Sequence, residues 1–351
     1  MTLISRLQLS VSRLNVALFV FAFLLTGSVA RTQSSPETPL SSEIDLQHAI
    51  SVTSELVILP VNVTNARGNF VSGLNESNFH VYEEKRLQKL SLFQQEDTPV
   101  SVGLIVDHSS SMGPKMANVI AAISAFANSG NPEDEMFVVD FSDRVTVEPL
   151  GGKLFTNDPV ELGKAVETVS AHGRTALYDA VAAGLIHIQR SHLQRKALII
   201  VSDGGDNASN YKYSEILELA RQSQVTIYSI VLVDESTKEQ RPKVLQQLSK
   251  DTGGVALFPE SWRSVTDSSA QIAHDLREQY VLGYVPEKRT SGSLFRKIQV
   301  QVTVPEKSKL HVRTRPGYSL ASDRAGLTGI AEDPALTSVG GATKETSKGF
   351  R

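Results

Sequence analysis

A doubly wound α/β domain with a mainly parallel sheet, flanked by β segments on both sides, is the fold this sequence predicts. Three observations predict it. Short, continuous apolar runs recur at 102–106, 196–202 and 225–231. Segments with helical spacing of apolar residues separate them. Before 99 and after 279 the pattern shifts toward alternation of apolar and polar residues. Unbroken apolar strands divided by helices imply a parallel sheet buried on both faces. The 351-residue chain has the length for one large or two modest domains plus tails. Its composition, 40% hydrophobic and 21% charged, is that of a globular protein, and a net charge of −3 gives no reason to expect a nucleic-acid partner.

The elements follow in chain order. Residues 1–30 read as a secretory signal: Arg6 and Arg13, an apolar stretch at 16–25, then Ser28-Val29-Ala30, with cleavage expected after Ala30. That stretch is shorter than the roughly 20 residues a membrane helix needs; left uncleaved, it would act as a membrane anchor. The chain has no cysteine, so an exported product relies on its core, not on disulfides. Residues 31–48 form a Ser/Thr/Pro-rich linker. An N-terminal β segment spans 49–98: one strand in "LVILPVNVT", a turn in "NARGN", and two strands across a turn near 84–86.

From 99 to 279 strands and helices alternate. Strands are expected at 102–107, 135–141, 144–149, 196–202, 225–231 and 255–258. Helices are expected at 115–128, 159–169, 176–189, 213–222, 242–251 and 264–278. The first carries Met116, Val119, Ile120, Ile123 and Phe126 at helical spacing. A C-terminal β segment spans 280–320, where Ile298, Val300, Val302 and Val304 alternate with polar residues. It is expected to join 49–98 in one β-sandwich-like domain. Residues 321–351 are Gly/Ala/Ser/Thr-rich and read as a disordered tail.

One constellation carries chemistry. Asp107, Ser109 and Ser111 make an Asp-x-Ser-x-Ser run directly after an apolar strand. Asp203 follows a second such strand, and Thr175 lies in a loop that opens a helix. Open α/β sheets bind ligands beyond the carboxyl ends of their strands, so these residues can converge on one rim. Three hydroxyls and two carboxylates are hard oxygen donors, suited to Mg²⁺ or Mn²⁺, with Ca²⁺ compatible, and unlike the softer sets that select zinc or copper. A cation held largely by neutral hydroxyls stays electrophilic and can take one more oxygen from outside. Alone, the Asp-x-Ser-x-Ser run also reads as a polar loop with serine caps.

The chain resembles a von Willebrand factor type A domain with a complete metal-ion-dependent adhesion site. The matching residues are Asp107-His108-Ser109-Ser110-Ser111, Thr175 in "HGRTALYDA" and Asp203 in "VSDGGDN"; Ser110 stands where a glycine is frequent. The resemblance covers about 99–283. The lead "GNFVSGLNESNFHVYEE" and the Gly-Tyr ending are similar to an acidobacterial group of such proteins. The resemblance implies a Rossmann-like fold and metal binding by the two serines directly, by the threonine directly or through water, and by the aspartates largely through water. It also implies a non-enzymatic binding module whose partner is a protein presenting Asp or Glu. Self-association through the site is the alternative. A metal-assisted hydrolase is disfavoured, because no nucleophile elbow, phosphate-binding loop or His-Glu-x-x-His motif occurs.

Beside the metal set, Arg174 and His108 are candidate ligand contacts, Arg174 by steering an acidic partner. Asp206 and Asn207 read as turn residues. Asp140 and Asp143 could form a second acidic site, though a turn after the strand is the simpler reading. Residues 133–135 read as a solvated acidic loop, and His187 and His192 as structural residues without partners.

Overall fold

The computed structural model describes residues 56–95, 97–233, 240–261, 264–287, 294–304 and 309–320. The expected signal at 1–30, the linker at 31–48 and the tail at 321–351 lie outside the described residues.

The chain opens with β1 (Val57–Asn65), β2 (Phe79–Glu83), β3 (Arg86–Gln88) and β4 (Leu90–Gln94). The "NARGN" turn forms as expected, with Asn65 Oδ1 accepting from the backbone of Arg67 and Asn69. The strand expected after the 84–86 turn divides. β3 stays beside β2, whereas β4 crosses to another sheet. A sandwich has two faces to fill, and splitting the strand supplies both.

The central domain runs β5 (Ser101–Asp107), a 3₁₀ turn at Ser110–Lys115, α1 (Met116–Asn128), β6 (Glu135–Phe141) and β7 (Val145–Val147). It continues through α2 (Pro159–Glu167), α3 (Leu177–His187), β8 (Lys196–Ser202), α4 (Tyr213–Ser223) and β9 (Thr226–Val231). It ends with α5 (Pro242–Thr252), β10 (Ala256–Leu257) and α6 (Val265–Arg277). Local chemistry explains several boundaries. Asp158 caps α2 by accepting from the Val160 amide at 2.8 Å, and Pro159 takes the first helical position, where no N–H is needed. α5 starts on Pro242 and stops at Gly253, whose φ of +85° suits a left-handed cap. Helix 115–128 starts one residue late, because the 3₁₀ turn carries Pro114 and takes in Lys115, which is buried and donates from Nζ to the Leu232 carbonyl at 2.9 Å.

The sheet order is β10–β9–β8–β5–β6–β7, parallel except where β7 returns antiparallel to β6. Every residue of β5 and β9 is buried, as continuous apolar runs require. From β5 the chain builds outward to β6, then returns to place β8 on the other flank. The strand order therefore reverses beside β5.

The last strands are β11 (Tyr280–Tyr284), β12 (Phe295–Val302), β13 (Leu310–Arg313) and β14 (Gly317–Ser319). They complete two antiparallel sheets, β13–β1–β11–β4 and β14–β12–β2–β3. Both sheets feed one core that includes Leu59, Val61, Phe79, Val81, Leu282, Ile298 and Val300. The accessory β-sandwich-like domain is thus assembled from segments before and after the α/β domain. Inside it, Glu83 accepts from Arg296 at 3.0 Å, from Tyr284 at 2.7 Å and from Tyr318 at 3.0 Å.

A buried polar seam joins the two parts at the end of the parallel sheet where its strands begin. Asp275 near the end of α6 accepts from Tyr228 at 2.7 Å and pairs with Arg313. Asn62 donates to the Asp275 carbonyl at 2.9 Å, and Gln279 bridges Tyr228 and Asn62. Arg313 also reaches the Gly253 carbonyl at 2.7 Å. Burial pushes the Arg315 guanidinium down to about 10, so it keeps its charge at neutral pH, and it donates to the Gln224 carbonyl at 2.5 Å.

Three sequence expectations need correction here. Residues 133–135 are no simple solvated loop: Asp134 is buried, accepts from the amides of Val100 and Asn131, both at 2.9 Å, and pairs with Arg277. His187 is partnered, with Nε2 at 2.9 Å from the Leu154 carbonyl and its ring against Phe137 and Phe155. His192 lies 3.4 Å from Glu135. Apart from the local Asn131–Asp134 bond, these contacts join residues distant in sequence.

Candidate metal centre

β5 and β8 are adjacent and parallel, so their carboxyl ends share a rim. Asp107 is the last residue of β5, and Asp203 follows the last residue of β8. Both are buried, at 0% and 3% exposure. Asp107 accepts from the Ser109 amide at 2.8 Å and from the Ser202 hydroxyl at 2.6 Å. Ser109 Oγ lies 3.3 Å from Ser111 Oγ, and Ser111 donates to Asp203 at 2.9 Å. Asp203 also accepts from the Gly205 amide at 3.1 Å. Gly204 between them has φ +82°, and a Cβ there would lie 2.8 Å from the Arg241 carbonyl oxygen, so the tight turn needs glycine. A chain of short contacts therefore links Asp107, Ser109, Ser111 and Asp203.

Thr175 reaches the same loops by another route. Its amide donates to Asn207 Oδ1 at 2.9 Å, and its carbonyl accepts from the amides of Asn207 at 3.0 Å and Ala208 at 3.1 Å. The loop before it is pinned to the serine run: Ser110 Oγ donates to the Gly173 carbonyl at 3.1 Å, and the His172 amide donates to the His108 carbonyl at 2.8 Å. Asn207, expected as a turn residue, thus orients Thr175. Asp206 does serve the turn, accepting from Ser209 at 2.5 Å.

The electrostatics of the rim are unbalanced. Burial, helped by the nearby charge of Asp203, outweighs the hydrogen bonds from Ser109 and Ser202 and leaves Asp107 raised to about 6. No described cationic side chain is hydrogen-bonded or paired to either aspartate. Four other buried carboxylates have a cationic or histidine partner: Glu83 meets Arg296, Asp134 meets Arg277, Asp275 meets Arg313, and Asp140 meets His108. Asp179 is held instead by the amides of Asn210 and Tyr211 at 3.0 Å. Two buried carboxylates with neutral partners, beside serine and threonine hydroxyls, make a donor set that fits a hard divalent cation. Among the described residues no group of three His, Cys, Asp or Glu side chains is placed to hold a metal. This oxygen set would depend on hydroxyls to make up the number.

Of the two candidate ligand contacts, only Arg174 is accessible. His108 is fully buried and points away from the rim. Its Nδ1 pairs with the Asp140 carboxylate, and its Nε2 lies 3.2 Å from the Val166 carbonyl. Burial alone would lower its pKa, but the hydrogen bond and charge of Asp140 outweigh that and raise it. The ligand-contact expectation for His108 is therefore corrected: the side chain anchors the serine run to β6 and α2. Asp140 is that anchor's partner and not part of a second acidic site with Asp143, which is exposed and takes Arg174. Sequence reasoning missed this pair and the Ser202 bond to Asp107. The available signal was a lone acid within the apolar "FVVDF" strand, which needs a buried partner.

Residues 101–271 match the family model of the von Willebrand factor type A domain. No curated protein matches the chain significantly. Among solved structures, proximal thread matrix protein 1 from the mussel byssus, with a zinc-occupied MIDAS motif, is 16% identical with a TM-score of 0.47; the match covers 56% of this chain and 50% of that one. A von Willebrand factor type A protein from Catenulispora acidiphila is 13% identical at a TM-score of 0.45, covering 79% of this chain and 76% of that one. The vWF domain of the type V pili tip protein Mfa5 from Porphyromonas gingivalis is 11% identical at 0.42, covering 56% of this chain and 99% of that one.

Proposed function

We propose, for a chain that contains a von Willebrand factor type A domain at residues 101–271, that it is a binding protein which captures an acidic residue of a protein partner through a divalent cation. The observation that carries this reading is the pair of buried aspartates, Asp107 and Asp203, held by hydroxyls and amides without a cationic partner among the described residues. Leaving such charges uncompensated costs several kcal/mol per ion, and a dication would remove that cost. Asp107, Ser109, Ser111, Thr175 and Asp203 would hold it, with Mg²⁺ the ion best matched to the donors and Mn²⁺ or Ca²⁺ as alternatives. Bound there, the ion supplies an electrophile able to accept one further oxygen ligand.

The chain's own residues set up the site. Ser202 and the Ser109 amide aim Asp107, while Ser111 and the Gly205 amide aim Asp203. Asn207 holds the Thr175 loop, and His108 with Asp140 fixes the serine run from below. We place the protein outside the cytoplasm, on the strength of its N-terminal signal pattern. No helix of the described residues is long and apolar enough to cross a membrane.

Two measurements test the reading. Isothermal titration with Mg²⁺ should show one site in the wild type and none in Asp203→Ala. A pull-down from envelope extract should recover a partner with wild type in Mg²⁺, and lose it in chelator or with Asp203→Ala. A partner retained under both conditions would move the function away from this rim.

A further inference from the structure

We infer that Arg174 is a second ligand contact, so that the partner of this rim presents two acidic groups close together, one for the cation and one for the guanidinium. The inference rests on the cation-bridged reading above and specifies its partner. Arg174 immediately precedes Thr175, so it stands beside the proposed metal set. Its side chain is 66% exposed, yet its base is fixed. Both its amide and its Nε donate to Asp143 Oδ1, each at 3.0 Å. Nη1 lies 3.5 Å from the Asn207 carbonyl, in the loop that orients Thr175. Gly173 has φ +75°, and a side chain there would collide with the Asp143 carboxylate, so the close approach of the two loops is built into the backbone.

The consequence is a guanidinium anchored at its base and open at its tip. Nε is spent on Asp143, while both N–H groups of Nη2 and one of Nη1 remain for an outside acceptor. A free surface arginine loses rotamer freedom on binding. A tethered one has already lost part of it, which favours a charge-assisted bond to a carboxylate. The hydrogen bonds from Arg174 also hold the exposed Asp143 below the usual carboxylate range, so the tether stays ionised in mildly acidic conditions.

The competing account is that Arg174 only ties the Asp143 loop to the Thr175 loop. The two accounts separate with the full chain saturated in Mg²⁺ and two blocked peptides of equal length. One peptide has a single aspartate; the other has two aspartates separated by one glycine. Affinities are read by NMR titration, and Mg²⁺ affinity by calorimetry. Wild type is expected to bind the two-aspartate peptide about tenfold more tightly. In Arg174→Ala that ratio should fall to about two or below, because affinity for the two-aspartate peptide falls more than affinity for Mg²⁺ or for the single-aspartate peptide. Arg174→Lys should restore part of it. An unchanged ratio in Arg174→Ala would overturn the inference, as would equal weakening of Mg²⁺ and both peptides, the mark of a loop tie. Wild type that binds Mg²⁺ but neither peptide would also overturn it. Wild type that binds no Mg²⁺ would overturn the underlying reading instead.

Discussion

At the junction with the β-sandwich, where the parallel strands begin, Asp275 and Asp134 face the guanidiniums of Arg313 and Arg277. At the opposite rim, where the strands end, Asp107 and Asp203 face serine hydroxyls and amides. All four aspartates are buried. The difference is counter-charge. The junction encloses its own cations and is complete as a structure. At the rim, the two aspartates have only neutral partners among the described residues. A buried carboxylate is therefore informative through its partner more than through its burial.

Four perturbations sharpen that contrast. The largest effect belongs to the junction. Arg313→Ala would leave Asp275 buried without its cation, and should cost about 3–5 kcal/mol in urea unfolding. A cost below about 1 kcal/mol would mean the seam is hydrated, and the contrast would collapse. The rim should behave differently. In chelator, Asp203→Asn is expected to leave stability unchanged or to raise it, because it removes one of two like buried charges while Oδ1 can still accept from the Gly205 amide. The wild type should gain about 2.7 kcal/mol when Mg²⁺ reaches 100 times its dissociation constant, and the variant should gain nothing.

A smaller effect comes from Glu148. Burial and the charge of Asp140, opposed by that of His108, together push its pKa up to about 7. An acid whose folded pKa lies above its unfolded value keeps more protons in the native state. Its contribution to stability is present below about pH 4.5 and is lost as pH rises through about 7. Glu148→Gln should abolish that loss, worth about 1 kcal/mol after allowing for its partial exposure. A pH profile of unfolding identical to wild type would contradict this. The smallest effect lies outside both regions. Glu84 and Lys85 form the β2–β3 turn with φ of +47° and +66°. Lys85→Gly should stabilise by about 0.5–1 kcal/mol, since glycine tolerates that backbone, and thermal unfolding would register it.

Much of the architecture was legible because burial on both faces writes itself as continuous apolar runs. β5, β6 and β8 fall where those runs predict, and the helices between them end within two residues of expectation. The rim was legible for a related reason: a polar run directly after a buried strand must lie at the strand's end. Arg174 was legible as a charge beside that rim. Less legible was anything that depended on a side chain's direction. His108 sits between Asp107 and Ser109 in sequence, which suggested a contact at the rim, but the tight turn sends its ring inward to Asp140. Asp134 lies in an acidic stretch that looks solvated until Arg277, 143 residues away, is brought against it.

Local periodicity and residue chemistry thus determined by themselves the strand and helix order, the parallel core and the place of Asp107 and Asp203 at strand ends. Those are properties of neighbours in sequence, and a solvated or buried face imposes them directly. Only the tertiary structure decided which buried charges are paired. It placed β4 and β11 in one sheet and β2 and β12 in the other. Among the described residues, it also gave Asp107 and Asp203 no cationic side chain while supplying one to Glu83, Asp134 and Asp275. Ion pairing in a low-dielectric interior depends on contacts between distant segments, and no local pattern of residues encodes which arginine will arrive.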